Sequence, residues 1–351
     1  MKRMTAVLLA LTLCFTTALA VPPVPYRTDT LLRYHRQTPA VQNLVDILYD
    51  GAMNFQTEIT LPPNTAYHDA ETAVDVLRTD FPEIFQLKST VSLRYYQHEP
   101  DVCTAVILEY AMDEQTYLTL RTQTFERAWS FMPDGAYSDF TATVYLHDML
   151  AANTAYPAVD GGHYDHEAYG ALVYGSSVCE GYAQALTLLY RFAGIPCSMV
   201  VGTAYTDRGA GSHAWNVVQL GGELFLTDCT YNDQDHSGTV LHWYLNLPYQ
   251  DMTDHVPDEN EYSISSSRNY TYHAQMGGWI GSADDIERVF LYQANMHRQY
   301  GFPMEFRCAD ASILRTMIAS LGDLLYKADI GHVTYQTNDT LLTVTITEKP
   351  Q

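Results

Sequence analysis

Positive charge is what this chain has least of. Nineteen Lys and Arg stand against 41 Asp and Glu in 351 residues, a formal charge of −22. Binding to a phosphate backbone or an anionic bilayer needs clustered cations, so nucleic acid and anionic membrane are excluded as expected partners. Long apolar runs are also missing. After the first 20 residues no stretch approaches 18 uncharged apolar positions, so no transmembrane anchor is expected. Cysteine is sparse: beyond residue 20 only Cys103, Cys179, Cys197, Cys229 and Cys308 remain. An odd number at wide, irregular spacing is no disulfide framework for a chain this long, and at least one thiol should be free. Metal motifs are lacking too. Neither His163, Asp165 and His166 nor Asp233, Asp235 and His236 has HExxH spacing, and the second group does not follow a calcium loop, so no metal or other cofactor is expected. Both groups read as rim loops of a cleft.

What is present begins with MKRMTAVLLALTLCFTTALA, a basic start, an apolar run and a small-x-small end at Ala18 to Ala20. That is the pattern of a secretory signal over residues 1–20. Acylation at Cys14 would make a lipoprotein, but Leu13 stands where such signals want a small residue. The expected mature protein starts near Val21, is soluble and secreted or surface-located, and loses Lys2 and Arg3, moving its charge to about −24. The remaining length of about 330 residues can bury a sizeable core and make two or three units. Twenty-seven tyrosines fit amphipathic surface and interface packing.

Periodicity divides the chain into an N-terminal α/β module over 21–131, a central unit over 132–275 and a C-terminal α/β module over 276–351. The first reads helix (PAVQNLVDILYDGAM), strand (FQTEITL), helix (DAETAVDVL), then two strands (SLRYYQ, VCTAVILEY). The last repeats that order, with helices around 283–300 and 311–328, the strand PMEFRC and the strands HVTYQT and LLTVTIT, so the ends read as copies of one module. Between them, residues 113–131 and the run YSDFTATVYLHDMLAANTAY are helical, separated by Pro133-Asp134-Gly135. The overall class is α+β.

The central unit holds the chemistry. In SSVCEGYAQALTLLYRFAGI, Ser176 and Ser177 are natural N-caps, Ala183, Leu186, Leu189, Tyr190 and Ala193 share a face, and Gly194 ends the helix. Cys179 then lies in the first turn, where the helix dipole favours the thiolate a nucleophile requires. A base held by a third group is needed next. HAWNVVQL and ELFLTDCT flank Gly221-Gly222. A two-residue turn there pairs Leu220 with Glu223, Trp215 with Asp228 and His213 with Thr230. His213 and Asp228 become diagonal neighbours on one face, roughly 7 Å apart. Trp215 shares that face and reads as a wall of the site or as core.

The blocks VCEGYAQAL, HAWNVV and TDCTYND, with HDMLAANTAY before them and DMTDH after, resemble the transglutaminase-like superfamily of papain-like thiol enzymes, in particular exported bacterial members, over about residues 136–255. The resemblance implies a core in which a Cys-bearing helix packs on an antiparallel sheet bearing His and Asp. It implies Cys179 as nucleophile, His213 as general base and acid, and Asp228 as the group orienting the imidazole. The implied reaction is attack on an amide carbonyl and resolution of a thioester by water or an amine. The substrate would be a peptide or protein, cell-wall peptide included, and the activity that of a peptidase or amidase or of a transglutaminase-type acyltransferase. The Cys179 N–H is the expected first oxyanion donor. The family's upstream indole has no evident counterpart, since Trp129 lies fifty positions before the cysteine, and Tyr231 stands where tryptophan is common. A noncatalytic surface protein that keeps the fold to bind peptide or glycan is the rival reading. Cys103, Cys197, Cys229 and Cys308 read as small core residues, with a Cys197–Cys229 bridge the alternative. His147 reads as a packed or surface histidine, or as a support to the site.

Overall fold

The computed structural model describes residues 28–206, 209–233, 240–259 and 261–348. Residues 1–20, with Cys14 and the expected signal, lie outside them, as do Asp235 and His236. The described chain is mixed helix and sheet, with three sheets. Among the described residues no helix is long and apolar enough to cross a membrane.

The N-terminal part runs α1 (Pro39–Met53), β1 (Glu58–Ala66), α2 (Tyr67–Asp80), β2 (Leu87–Tyr96) and β3 (Glu99–Tyr110). The α1 helix starts as its sequence dictates: Thr38 accepts a hydrogen bond from the Val41 N–H and Pro39 occupies the first turn. Its buried stripe of Val41, Leu44, Val45, Leu48 and Ala52 packs with α2 on an antiparallel sheet ordered β1-β3-β2.

The central part comprises α3 (Glu114–Ser130), α4 (Asp139–Asn153), α5 (Cys179–Phe192), β4 (Cys197–Thr206), β5 (Gly209–Leu220), β6 (Glu223–Thr227), the short α6 (Cys229–Asn232) and β7 (His255–Pro257). Its sheet is ordered β6-β5-β4-β7, antiparallel throughout. Gly221 and Gly222 have φ of 58° and 84°, the two left-handed residues that a tight hairpin turn demands. They set Leu220 opposite Glu223 and Asn216 opposite Thr227, the register expected from the sequence. The strand stops at Thr227, however, and the expected pairing of His213 with Thr230 does not form, because Asp228 caps α6 instead.

The C-terminal part adds α7 (Tyr272–Gln275), β8 (Trp279–Ile280), α8 (Ile286–Tyr300), β9 (Met304–Cys308), α9 (Ala311–Ala319), α10 (Leu321–Ala328), β10 (Val333–Asn338) and β11 (Thr343–Glu348). Its strands lie in the order β10-β11-β9-β8. The last strand of the module is therefore central at both ends, with β1-β3-β2 matched by β9-β11-β10, all antiparallel. The two ends share element order and strand order.

The α5 helix is buried all round from Gly181 to Arg191, rather than along one face, because α4, the sheet and the 163–174 segment surround it. Its start also differs from expectation. The N-cap is Val178, without a side-chain cap, because the Ser177 hydroxyl donates to the Asp165 carbonyl at 2.6 Å. The N-terminal part is tied to α5 where Arg191 donates to the Asp80 carbonyl. The C-terminal part is tied on by the Trp243 indole donating to Thr345 at 2.8 Å and by Arg307 reaching the Asp251 carbonyl at 2.6 Å.

Gly181, two residues after Cys179, faces the 165–167 backbone so closely that an added Cβ would lie 2.7 Å from the Asp165 carbonyl oxygen and 3.0 Å from that of Glu167. Gly181→Ala should therefore destabilise by about 1–3 kcal/mol through overpacking, despite an intrinsic helix preference of about 1 kcal/mol for Ala. A urea midpoint at or above wild type would contradict this contact.

Candidate functional site

Cys179 is the first residue of α5 and is half-buried, packed beside Ala183, Met199 and Ala214. His213 projects from β5 at the point where that strand pairs with Gly202 of β4, and is 7% exposed. The Cys179 side chain acts on its imidazole from one side. On the other, Nε2 lies 2.6 Å from Asp228 Oδ2. Asp228 is fully buried, and its Oδ1 accepts the Tyr231 N–H at 3.1 Å. The structure thus brings Cys179, His213 and Asp228 together, the carboxylate reaching the imidazole from a helix cap rather than from a continued strand.

The rings around His213 fix its plane. Trp215 lies at 6.1 Å with planes 23° apart, and Tyr231, standing where tryptophan was expected, at 4.6 Å. Burial works against charge on His213, but the Asp228 carboxylate and, after it, the Cys179 side chain outweigh it and push its pKa up to about 10. Asp228 goes the other way: burial opposes ionisation, yet the imidazoles of His213 and His255 hold it well below the usual carboxylate range.

Two neighbours were marked in the sequence only as the closing residues of blocks of the resemblance, Tyr156 of HDMLAANTAY and His255 of DMTDH. His255, on β7, places Nε2 3.0 Å from the same Asp228 oxygen. Tyr156 sits beside the start of α5 because Ala155 bridges Ser176, with the Ser177 N–H donating to the Ala155 carbonyl at 3.1 Å. Burial, together with the charges of Cys179, Asp160 and Asp228, raises the pKa of the Tyr156 phenol.

The other candidates fall elsewhere. Trp129 stacks edge-on against Phe192 at 5.1 Å, at the far end of a helix of 14 residues, roughly 20 Å from Cys179. His147 is buried between Asp148 and Asn232, supporting the turn after Asp228 without touching it. His166 lies between Asp160 and Glu180 at 2.9 and 3.0 Å, and its pKa is raised to about 9, with the Glu180 hydrogen bond the largest cause. His163 bonds the Phe85 carbonyl, Asp165 is buried, and Asp233 accepts from the Tyr182 hydroxyl. The five described cysteines are free, so Cys197 and Cys229 are not bridged, and all but Cys179 are buried. Among the described residues two sets could offer three ligands to a metal ion, His213, Asp228 and His255, and His147, Asp148 and His242. Within each set the candidate ligand atoms already hydrogen-bond one another.

Two clefts, of about 340 and 660 Å³, flank the start of α5 and share Arg78 and Glu180 in their walls. Met199, packed beside Cys179, lines the smaller. The N-terminal part supplies the opposite wall, from Asp75 to Thr90.

Residues 132–229 match the family model of the transglutaminase-like superfamily. That segment is transglutaminase-like. It holds Cys179, His213 and Asp228, whereas His255 lies beyond it. The kyphoscoliosis peptidases of Homo sapiens and Mus musculus are each 29% identical over an alignment that covers 27% of this chain and 18% of theirs, so the match spans under a fifth of those relatives. Two solved structures are similar at low identity. A candidate cysteine protease from Cytophaga hutchinsonii is 12% identical, covers 48% of this chain and 65% of its own, and has a TM-score of 0.29. A TGase is 11% identical, with 51% and 52% covered and a TM-score of 0.30. The family match supports cysteine-protease-like or acyl-transfer chemistry.

Burial of charged imidazoles makes stability depend on pH. His213 and His242 have folded pKa values of about 10 against 6.5, so their contribution is complete below pH 6.5 and lost as pH climbs toward 10. His273, which burial holds neutral, acts in the opposite sense as a single group. Asp148 and Asp228, depressed from 3.8, contribute above that value and lose it in acid. The urea midpoint should peak between pH about 4 and 6.5 and decline by pH 9; a midpoint still climbing from pH 7 to 9 would exclude charged buried imidazoles.

Proposed function

We propose that this is an exported thiol enzyme acting on amide bonds of peptides or proteins. Cys179 attacks the carbonyl, His213 takes the thiol proton and returns one to the leaving amine, and Asp228 holds the ring. The resulting thioester is resolved by water, or by a second amine in the transglutaminase manner. The observation that carries this reading is that the Cys179 side chain acts on His213 while the His213 Nε2 lies 2.6 Å from buried Asp228.

The resting geometry also suggests how the tetrahedral intermediate is held. A carbonyl oxygen arriving over the sulfur would meet the Cys179 N–H, and Tyr156 stands beside the start of α5, close enough to feel the charge of Cys179. We assign Tyr156 as the neighbouring donor to the oxyanion, the group the sequence did not supply. Export rests on the residues 1–20 pattern. Hydrolysis is preferred over transfer because, among the described residues, none beside Cys179 marks a site for a second amine. The acidic chain favours neutral or cationic peptides, cell-wall peptide included.

Turnover of fluorogenic casein, with monodansylcadaverine incorporation run in parallel, tests the assignment. Cys179→Ala should abolish both activities, Asp228→Asn should lower kcat by about 10²–10⁴-fold, and Tyr156→Phe by about 10–10³-fold with KM little changed. Cys197→Ala should retain catalysis. Full activity in Cys179→Ala would overturn the reading, and labelling of Cys179 at ordinary thiol rates with no turnover would favour a binding protein.

A further inference from the structure

Asp228 serves two imidazoles. Its Oδ2 lies 2.6 Å from His213 Nε2 and 3.0 Å from His255 Nε2. The other nitrogen of His255, Nδ1, lies 2.8 Å from Asp254 Oδ1. An ionised carboxylate only accepts hydrogen bonds, so a histidine facing one at each nitrogen carries a proton on both. The surroundings keep both carboxyls ionised. Asp228 Oδ1 accepts the Tyr231 N–H, and Asp254 Oδ2 accepts the Tyr244 hydroxyl at 2.7 Å. Both acids sit below their ordinary range despite burial, and the His255 pKa is raised although burial opposes its charge.

The site around His255 is closed. Its side chain has no exposure, and β7 exists at the sheet edge to bring it there, with His255 opposite Ala204 and the Tyr205 N–H donating to the Asp254 carbonyl at 2.8 Å. The titratable groups that face it are Asp228 at the cap of α6, Asp254 beside it, the His213 ring on β5 at 5.4 Å, and the phenols of Tyr231 at 5.2 Å and Tyr244 at 5.4 Å. The uncharged Trp215 indole closes the remaining side at 5.0 Å.

We propose that His255 is a positioning residue for the Cys179–His213 pair, a permanently charged buried imidazolium that offsets the negative charge of Asp228. The proposal rests on the reading of Cys179 as a nucleophile and deepens it. A buried carboxylate 2.6 Å from an imidazole binds that ring's proton tightly, and a base that cannot release its proton cannot protonate a leaving amine. A fixed positive charge one ring away lowers the proton affinity of His213. His255 transfers nothing; it acts by its field and by fixing Asp228 Oδ2 in the plane that His213 needs.

Alkylation of Cys179 by iodoacetate across pH 4 to 11 reads both ionisations of the pair, the lower for thiolate formation and the upper for loss of the His213 proton. His255→Gln removes the charge and keeps an amide donor. In that variant the upper ionisation should move about one to two pH units higher, and in Asp254→Asn it should move in the same direction by less. Melting curves report folding in parallel. An upper ionisation within a few tenths of a unit of wild type, in folded His255→Gln, overturns the proposal. If that variant does not fold, Asp254→Asn decides by the same criterion. NMR of the wild-type ring nitrogens reads the charge directly: His255 doubly protonated at pH 8 is expected, and a neutral ring there overturns the proposal. A wild-type profile with one ionisation at an ordinary thiol position removes the proposed function, and the proposal with it, before any variant is made.

Discussion

The site depends on how one buried carboxylate is satisfied. Asp228 has no exposure, and an isolated ionised carboxylate in such a place would lose far more solvation than packing returns. It persists because three separate pieces of chain converge on it: His213 from β5, the Tyr231 N–H from the first turn of α6, and His255 from β7. Each would be poorly placed without the others. The hairpin sets the height of His213, the capped turn aims the carboxylate, and the edge strand closes the far side. The surrounding rings of Trp215, Tyr231 and Tyr244 keep water out and leave the imidazole one orientation.

A second polar cluster has the same logic and a different purpose. His242 lies between Asp148 and Glu305 at 3.0 and 2.5 Å and is stacked on Tyr272 at 3.8 Å. Asp148 belongs to α4 and Glu305 to β9, so this imidazole joins the central part to the C-terminal sheet. Removing either acid would leave a buried charge with a single partner, the costly way to break such a pair. The seam between the parts is therefore polar where it must be specific and apolar at Leu341, which packs with Trp215 and Trp243.

Much of this was legible beforehand, for identifiable reasons. Two glycines in succession admit one kind of hairpin, so the register of β5 on β6 followed by counting. The helix of Cys179 declared itself by its apolar content and by Gly194. The doubled element order of the two ends was visible as spacing, while their common strand order was not, since periodicity does not say which strand pairs with which. The misreadings are equally physical. Ser176 and Ser177 have cap-forming side chains, but Ser177 is committed to the Asp165 carbonyl, a contact between segments that no local pattern shows. Asp228 was placed on a strand because counting outward from Gly221-Gly222 paired it with Trp215, and it left the strand because its side chain caps the next turn. His255 sits on a strand of three residues, too short to have a period. Tyr156 is brought in by a single bridge between irregular segments.

A helix enclosed on every side, as α5 is from Gly181 to Arg191, has no room to roll, slide or tilt without opening several cores at once. The sulfur at its tip is thus anchored to the least deformable object in the molecule. Adaptation to a new substrate has to be sought in the facing wall: the exposed positions of the Asp75 to Thr90 stretch can be rewritten while the reacting atom keeps its address.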